Sequence, residues 1–244
     1  MKEFINIPNM QKKNKAIREC YVIVSNKEWH KDLVYNLKKN YPQHQWIFID
    51  KEVEFDFEKL NEIQPKLIFI PHWSKIISNE IYSNFECVLF HMTDLPYGRG
   101  GSPLQNLILR DHKTTKISAI KVSKGIDEGP IYLKKDLDLS GTAKEIFLRS
   151  SDIIYSMITE IISKSLIPKK QVGKVIHFKR RTPNQSDISE IDDLNKINDF
   201  IRMLDCDGYP KAFIEIKNFR LEFEKSDLID NNNLTAKVSF KIKK

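Results

Sequence analysis

The sequence predicts an α/β fold, a mostly parallel sheet covered by helices, followed by a small C-terminal α+β appendage. Three observations predict it. Short apolar runs alternate with helix-period patterns over most of the chain, the mark of βαβ units. The runs are rich in β-branched and aromatic residues and nearly continuous, as strands covered on both faces are. Past residue 176 the pattern changes to a polar stretch, one helix and alternating strands. We therefore expect a first domain over 1–176 and a small helix and β-hairpin region over 177–244.

A polar lead, residues 1–19, has no assignment. "CYVIVS" (20–25) is the first strand, and "KEWHKDLVYNLKKNYP" a helix halted by Pro42. "QWIFID" (45–50) and "KLIFIP" (66–71) follow as strands, with "FDFEKLNEI" a short helix between them, and "ECVLFH" (86–91) is the fourth strand. A "GRGG" turn then leads into the helix "SPLQNLILRDH", with Ser102 as N-cap and Pro103 at its first position. "TTKISAIKVS" (114–123) alternates as a half-buried strand, and "GPIYLKKDLDL" (129–139) is its hairpin partner. The longest helix spans 141–166, opened by a Thr142–Glu145 capping box and ended by Pro168. In the tail, "LNKINDFIRML" is a helix, "KAFIEIK" and "FRLEFEK" are paired strands, and "KVSFKIKK" is a final strand.

Composition excludes several classes. The 244 residues are 41% hydrophobic and 30% charged, the balance of an ordinary globular protein. The net charge of +7 suits an anionic partner, but the cations are spread along the chain, so a phosphorylated small molecule fits as well as nucleic acid. "FKRR" (178–181) reads as a solvated linker, too short for a nucleic-acid patch. Cys20, Cys87 and Cys206 form no CxxC pair, so neither a disulfide framework nor a metal site is expected. The start lacks an apolar h-region and no run reaches the length of a membrane span. A cytoplasmic protein with no membrane partner is the expectation. The first strand lacks a GxGxxG turn, which leaves dinucleotide binding without support.

Ligands of open α/β sheets bind beyond the carboxyl ends of the strands. "PHWS" (71–74), "HMTDLPYGRGG" (91–101) and "KGIDEGP" (124–130) fall there and bring His72, His91 and Asp127. Together these would supply a base and a carboxylate to orient it. Read singly, His91 could be a satisfied histidine at a strand end and Asp127 a turn residue.

"FHMTDLPYGRGGSP" (90–103) followed by "GIDEGPIYL", together with "TAKEIF" and "FKRRTPNQSDI", resembles the folate-dependent formyltransferases. The resemblance runs over residues 65–190 and implies a Rossmann-like formyltransferase fold, with 1–176 as the catalytic domain. It also implies transfer of a formyl group from 10-formyltetrahydrofolate to an amine. Carried over by position, His91 is the catalytic histidine and Asp127 its carboxylate. The family's asparagine, two residues before the histidine, is here Leu89, which cannot donate to an oxyanion. We expect His72 to fill that role, with Asn106 a second candidate. The folate is expected beside Trp73, Ser74, Ile76, Leu95, Pro96 and Arg99. Lys75, Gly100, Gly101 and Ser102 are the expected acceptor-binding residues.

For the acceptor, the resemblance offers initiator methionyl-tRNA, glycinamide ribonucleotide, whose enzyme lacks the "FKRRTPNQSDI"-type linker and the "DGYPKAFIEI" segment, or an amino sugar. Only 64 residues follow Arg180, short of the hundred or so of a tRNA-binding C-terminal barrel, and "DGYPKAFIEI" looks like the Tyr-Pro turn of sugar N-formyltransferases. We therefore expect a UDP- or dTDP-linked 4-amino-4,6-dideoxy sugar, with a nucleotide-sugar substrate and no nucleic-acid partner. A catalytically silent relative that binds sugar nucleotide or folate, a methionyl-tRNA formyltransferase and an RNA-binding protein on the same fold stand as alternatives. The tail "LTAKVSFKIKK" is read either as the interface of a homodimer or as an edge guarded by lysines.

Overall fold

In the computed structural model, which describes residues 18–243, the first four apolar runs become the parallel strands of one sheet. They are β1 (Cys20–Ser25), β2 (Gln45–Ile49), β3 (Leu67–His72) and β4 (Cys87–His91). A short strand, β5 (Tyr97–Gly100), lies outside that sheet, and β6 (Thr114–Lys121) and β7 (Ile131–Asp138) extend it antiparallel. The order is β2-β1-β3-β4-β6-β7. The expectations for the polar lead, including the absence of a leader sequence, rest on residues 1–17, which lie outside the described residues.

Strand alternation splits the core in two. Tyr21, Ile23 and Phe69 face α1 (Lys31–Asn40) and residues of the long helix 143–164, while Val22, Val24, Ile68 and Ile70 pack toward α2 (Phe57–Ile63) and α3 (Asn79–Asn84). All seven are buried, and each such side chain contributes roughly 1.5–3 kcal/mol. This double coverage is why the runs are continuous in sequence.

The "GRGG" stretch departs from expectation. Instead of a turn alone, Tyr97–Gly100 pairs in parallel with β8 (Ile176–Phe178). A Cβ on Gly100, whose φ is +109°, would stand 2.4 Å from the Phe178 carbonyl oxygen, so glycine is needed for the two backbones to meet. The helix after it, α4 (Pro103–Ile108), is short. Ser102 does not cap it: its φ is +50°, and its Oγ accepts the Arg181 N–H at 3.0 Å. In α5 (Ala143–Lys164) both capping-box bonds form, Thr142 N–H to Glu145 Oε2 at 2.7 Å and Glu145 N–H to Thr142 Oγ1 at 3.3 Å.

The tail folds as α6 (Leu194–Arg202) on an antiparallel sheet of β9 (Ala212–Ile216), β10 (Phe219–Asp230) and β11 (Asn233–Ile242). It is tied to the first region by Lys144 N–H to Asp205 O at 3.1 Å and Gln105 Nε2 to Met203 O at 3.0 Å. Lys237 and Lys241 of the outer strand pair with Glu224 and Glu222 of β10, while Phe240 and Ile242 stay exposed. Among the described residues no helix is long and apolar enough to cross a membrane.

Candidate active site

The chain passes from β1 out to β2 and returns to β3 on the other side of β1, which makes the carboxyl ends of β1 and β3 the switch point where ligands bind. A cavity of about 1390 Å³ opens there, lined by His72, His91 and Asp127 among others. His72 is the last residue of β3 and His91 of β4. Their strands hold them at neighbouring ends of the sheet, while Asp127 comes from the loop between β6 and β7.

His91 Nδ1 stands 3.5 Å from Asp127 Oδ2, and both side chains are more than nine-tenths buried. The other ring nitrogen, Nε2, lies 2.8 Å from the Gly98 carbonyl oxygen. A carbonyl only accepts, so Nε2 carries a hydrogen and Nδ1 of the neutral ring is the free base. Asp127 Oδ2 also accepts the Gly100 N–H at 2.8 Å. Asp127 itself has φ +53°, a left-handed conformation that Asp tolerates better than most residues. Gly129 allows this loop to close, since a Cβ there would fall 1.7 Å from the Lys121 carbonyl oxygen.

His72 packs edge-on against Trp29 (5.9 Å, 89°) and Phe147 (5.8 Å, 88°). Burial, reinforced by the nearby Lys27 and Arg180, holds its pKa down to about 3. It is a neutral ring at physiological pH, able to donate through one N–H. His30, whose Nδ1 is 2.7 Å from Ser25 Oγ, is likewise held down to about 3, by burial and then by His72 and Lys27. Asn106 is committed elsewhere, since its Nδ2 donates to the carbonyls of Gly101, Ser102 and Lys179 at 2.9–3.1 Å. That geometry removes it as an oxyanion donor. Leu89 faces the cavity.

Of the other expected residues, Trp73, Ser74, Lys75, Ile76, Gly100, Gly101 and Ser102 line the cavity. Three do not. Leu95 and Pro96 are buried, with Leu95 N–H on Ser118 Oγ at 3.3 Å. Arg99 turns away to Gln171 Oε1 (2.9 Å) and Glu128 Oε1 (3.2 Å). Lys75, though at the wall, is paired with Glu52, and Ser102 Oγ is taken by Arg181. Sequence reasoning missed Lys27, His30, Tyr209 and Arg180 on the same wall. Lys27 and His30 follow the end of β1, so the switch-point rule could have found them; Tyr209 and Arg180 arrive through the tertiary fold. Among the described residues no cluster of three or more His, Cys, Asp or Glu could hold a metal ion.

This architecture is the formyltransferase fold. A solved structure of methionyl-tRNA formyltransferase from Clostridium thermocellum superposes with a TM-score of 0.90 at 49% identity, covering 92% of this chain and all of that one. The chain belongs to the methionyl-tRNA formyltransferase-like family of formyltransferases. The family model for the methionyl-tRNA formyltransferase C-terminal domain matches residues 183–241. A methionyl-tRNA formyltransferase from Clostridium botulinum is 26% identical over 188 residues, 74% of this chain and 59% of the relative's length. The chain thus spans about three fifths of that curated relative. A sugar N-formyltransferase from Shewanella shares the fold, with a TM-score of 0.68 and 16% identity, covering 87% and 99% of the two chains.

These matches correct two expectations. The sugar-nucleotide acceptor fails, because the 49% identity is to a methionyl-tRNA formyltransferase and the sugar enzyme shares 16%. The short tail misled us: a C-terminal domain of that family is matched within 59 residues, so tail length does not separate the two acceptors. The expectation of no nucleic-acid partner fails with it. "FKRR" is in fact the end of a longer basic stretch. Between Glu160 and Asp187 the sequence has no carboxylate, and Lys169, Lys170, Lys174, Lys179 and Arg180 are all exposed.

Proposed function

We propose that the protein formylates the amino group of initiator methionyl-tRNA, with 10-formyltetrahydrofolate as donor. The reading is carried by the His91–Asp127 pair at 3.5 Å on the wall of one large cavity. The cavity of about 1390 Å³ exceeds the usual range for a single small ligand, so it has room for a folate and an aminoacyl end together. Trp73, Ile77, Leu89 and Val122 give it one apolar wall suited to a flat ring.

When bound, the folate would supply the formyl group and depart as tetrahydrofolate, its nitrogen–formyl bond breaking and that nitrogen taking up a proton as the new carbon–nitrogen bond is kept. The chain's own residues do the rest. Nδ1 of His91 takes the proton that the attacking amine must lose. Asp127 stabilises the positive ring so formed, at a separation and burial where the attraction is little screened. Gly98 O fixes the ring's orientation from the other side. His72, kept neutral, donates to the negative charge developing on the formyl oxygen in place of the amide that Leu89 cannot provide. The exposed cations of residues 169–180 suit the phosphates of an RNA acceptor.

Incubation with 10-formyltetrahydrofolate and initiator methionyl-tRNA should yield formyl-methionyl-tRNA, seen as a mass gain of one CO unit on the released amino acid. Folded protein that gives no product would sink the proposal. Leu89 favours one second reading, a relative that binds tRNA and folate without turnover. Binding of both ligands with no product would select it.

A further inference from the structure

We propose that Gln171 is a positioning residue for the His91–Asp127 pair, its side-chain amide clamping the carboxylate loop to Arg99. The loop 124–130 joins β6 to the edge strand β7, and inside it the Glu128 N–H reaches Gly125 O only at 3.5 Å. The firm bonds come from a distant segment. Gln171 Nε2 donates to Asp127 O and to Gly129 O, each at 2.8 Å. Its Oε1 accepts from Arg99 Nη2 at 2.9 Å and Nε at 3.2 Å.

Only a primary amide can serve both sides. A carboxylate would accept from Arg99 but could not donate to the two carbonyls, and an ammonium would do the reverse. The segment is itself anchored. Ile131 and Lys169 exchange N–H···O bonds at 2.7 and 2.8 Å, and β8 pairs with β5 at Tyr97, Arg99 and Gly100. Gly100 in turn donates its N–H to Asp127 Oδ2. One strap, residues 169–178, therefore holds both the backbone of Asp127 and the amide that fixes its carboxylate. The same strap bears Lys169, Lys170 and Lys174, so a polyanion seated on it would bear directly on the carboxylate loop.

The kinetic part rests on the formyl-transfer reading; a spectroscopic part does not. In the full chain, Gln171→Glu and the neutral Gln171→Met should each lower kcat on the order of 10- to 100-fold, with KM for both substrates within about twofold. The Gly100 amide signal in a nitrogen–proton NMR spectrum should shift in both variants toward its position in Asp127→Asn. Val172→Ala, a neighbour with an 88% exposed side chain, should leave kcat and that signal unchanged. Wild-type kcat with an unmoved Gly100 amide in Gln171→Glu overturns the clamp, as does a rise in KM alone. Should the wild type form no product while the amide shifts as expected, the clamp stands and formyl transfer falls.

Discussion

At the scale of single residues, chemistry is set by which atom of each imidazole is free. The Gly98 carbonyl claims Nε2 of His91 and leaves Nδ1 beside Asp127. Replacing His91 by Asn or Asp127 by Asn should therefore lower turnover about 10²- to 10⁴-fold, the usual worth of a positioned base, read as kcat for formyl-methionyl-tRNA. His72→Ala should cost on the order of 100- to 1000-fold if its N–H serves the developing oxyanion; unchanged kcat would remove it from the mechanism. The two buried histidines also set a pH dependence. His30 and His72 stay neutral in the fold down to about pH 3, whereas in the unfolded chain they take up protons below about 6.5. The unfolded state then binds more protons, so stability is lost as pH falls from about 6.5 toward 3. Thermal melts across that range should show the fall, and His30→Gln should flatten it.

At the scale of elements, close backbone approach places the site. Gly100 lets β5 lie on β8, and that pairing delivers the amide bound by Asp127. Gly100→Ala should destabilise the fold by about 2 kcal/mol or more, because it combines a positive φ with a clash against backbone. Urea denaturation should show this together with loss of activity. Thr142→Ala, at the cap of α5, should cost about 1 kcal/mol and leave kcat intact. The helices and long strands were legible because their periodicity is local. Strand β5 was not, since "YGRG" has no strand pattern of its own and becomes one only when Phe178 supplies a partner. Ser102 shows the same limit: an N-cap by position, its hydroxyl goes instead to Arg181 from 79 residues away.

At the scale of the molecule, charge and acceptor belong together. Counted along the chain, cations look dispersed; the stretch 169–180 carries five exposed ones, of which Arg180 lines the cavity. Affinity for initiator tRNA should fall steeply with salt. Replacing Lys170, Lys174 and Lys179 by Ala should reduce the slope of log K against log salt by roughly 2–3, at about 0.9 for each phosphate left without its cation. Filter binding across a salt series would measure it, and an unaltered slope would place the RNA elsewhere.

The sequence by itself determined the α/β class, the parallel strands with their switch point, and the histidine and aspartate that meet there. Each of these is written in local periodicity or in a short motif. Tertiary structure alone decided that Arg99 serves Gln171 rather than a ligand, that Asn106 is consumed by three carbonyls, and that a strap from past the longest helix holds the carboxylate loop. The long-range bonds at this site join residues between 27 and 106 positions apart, and nothing in the local pattern records which distant backbone will claim a polar side chain.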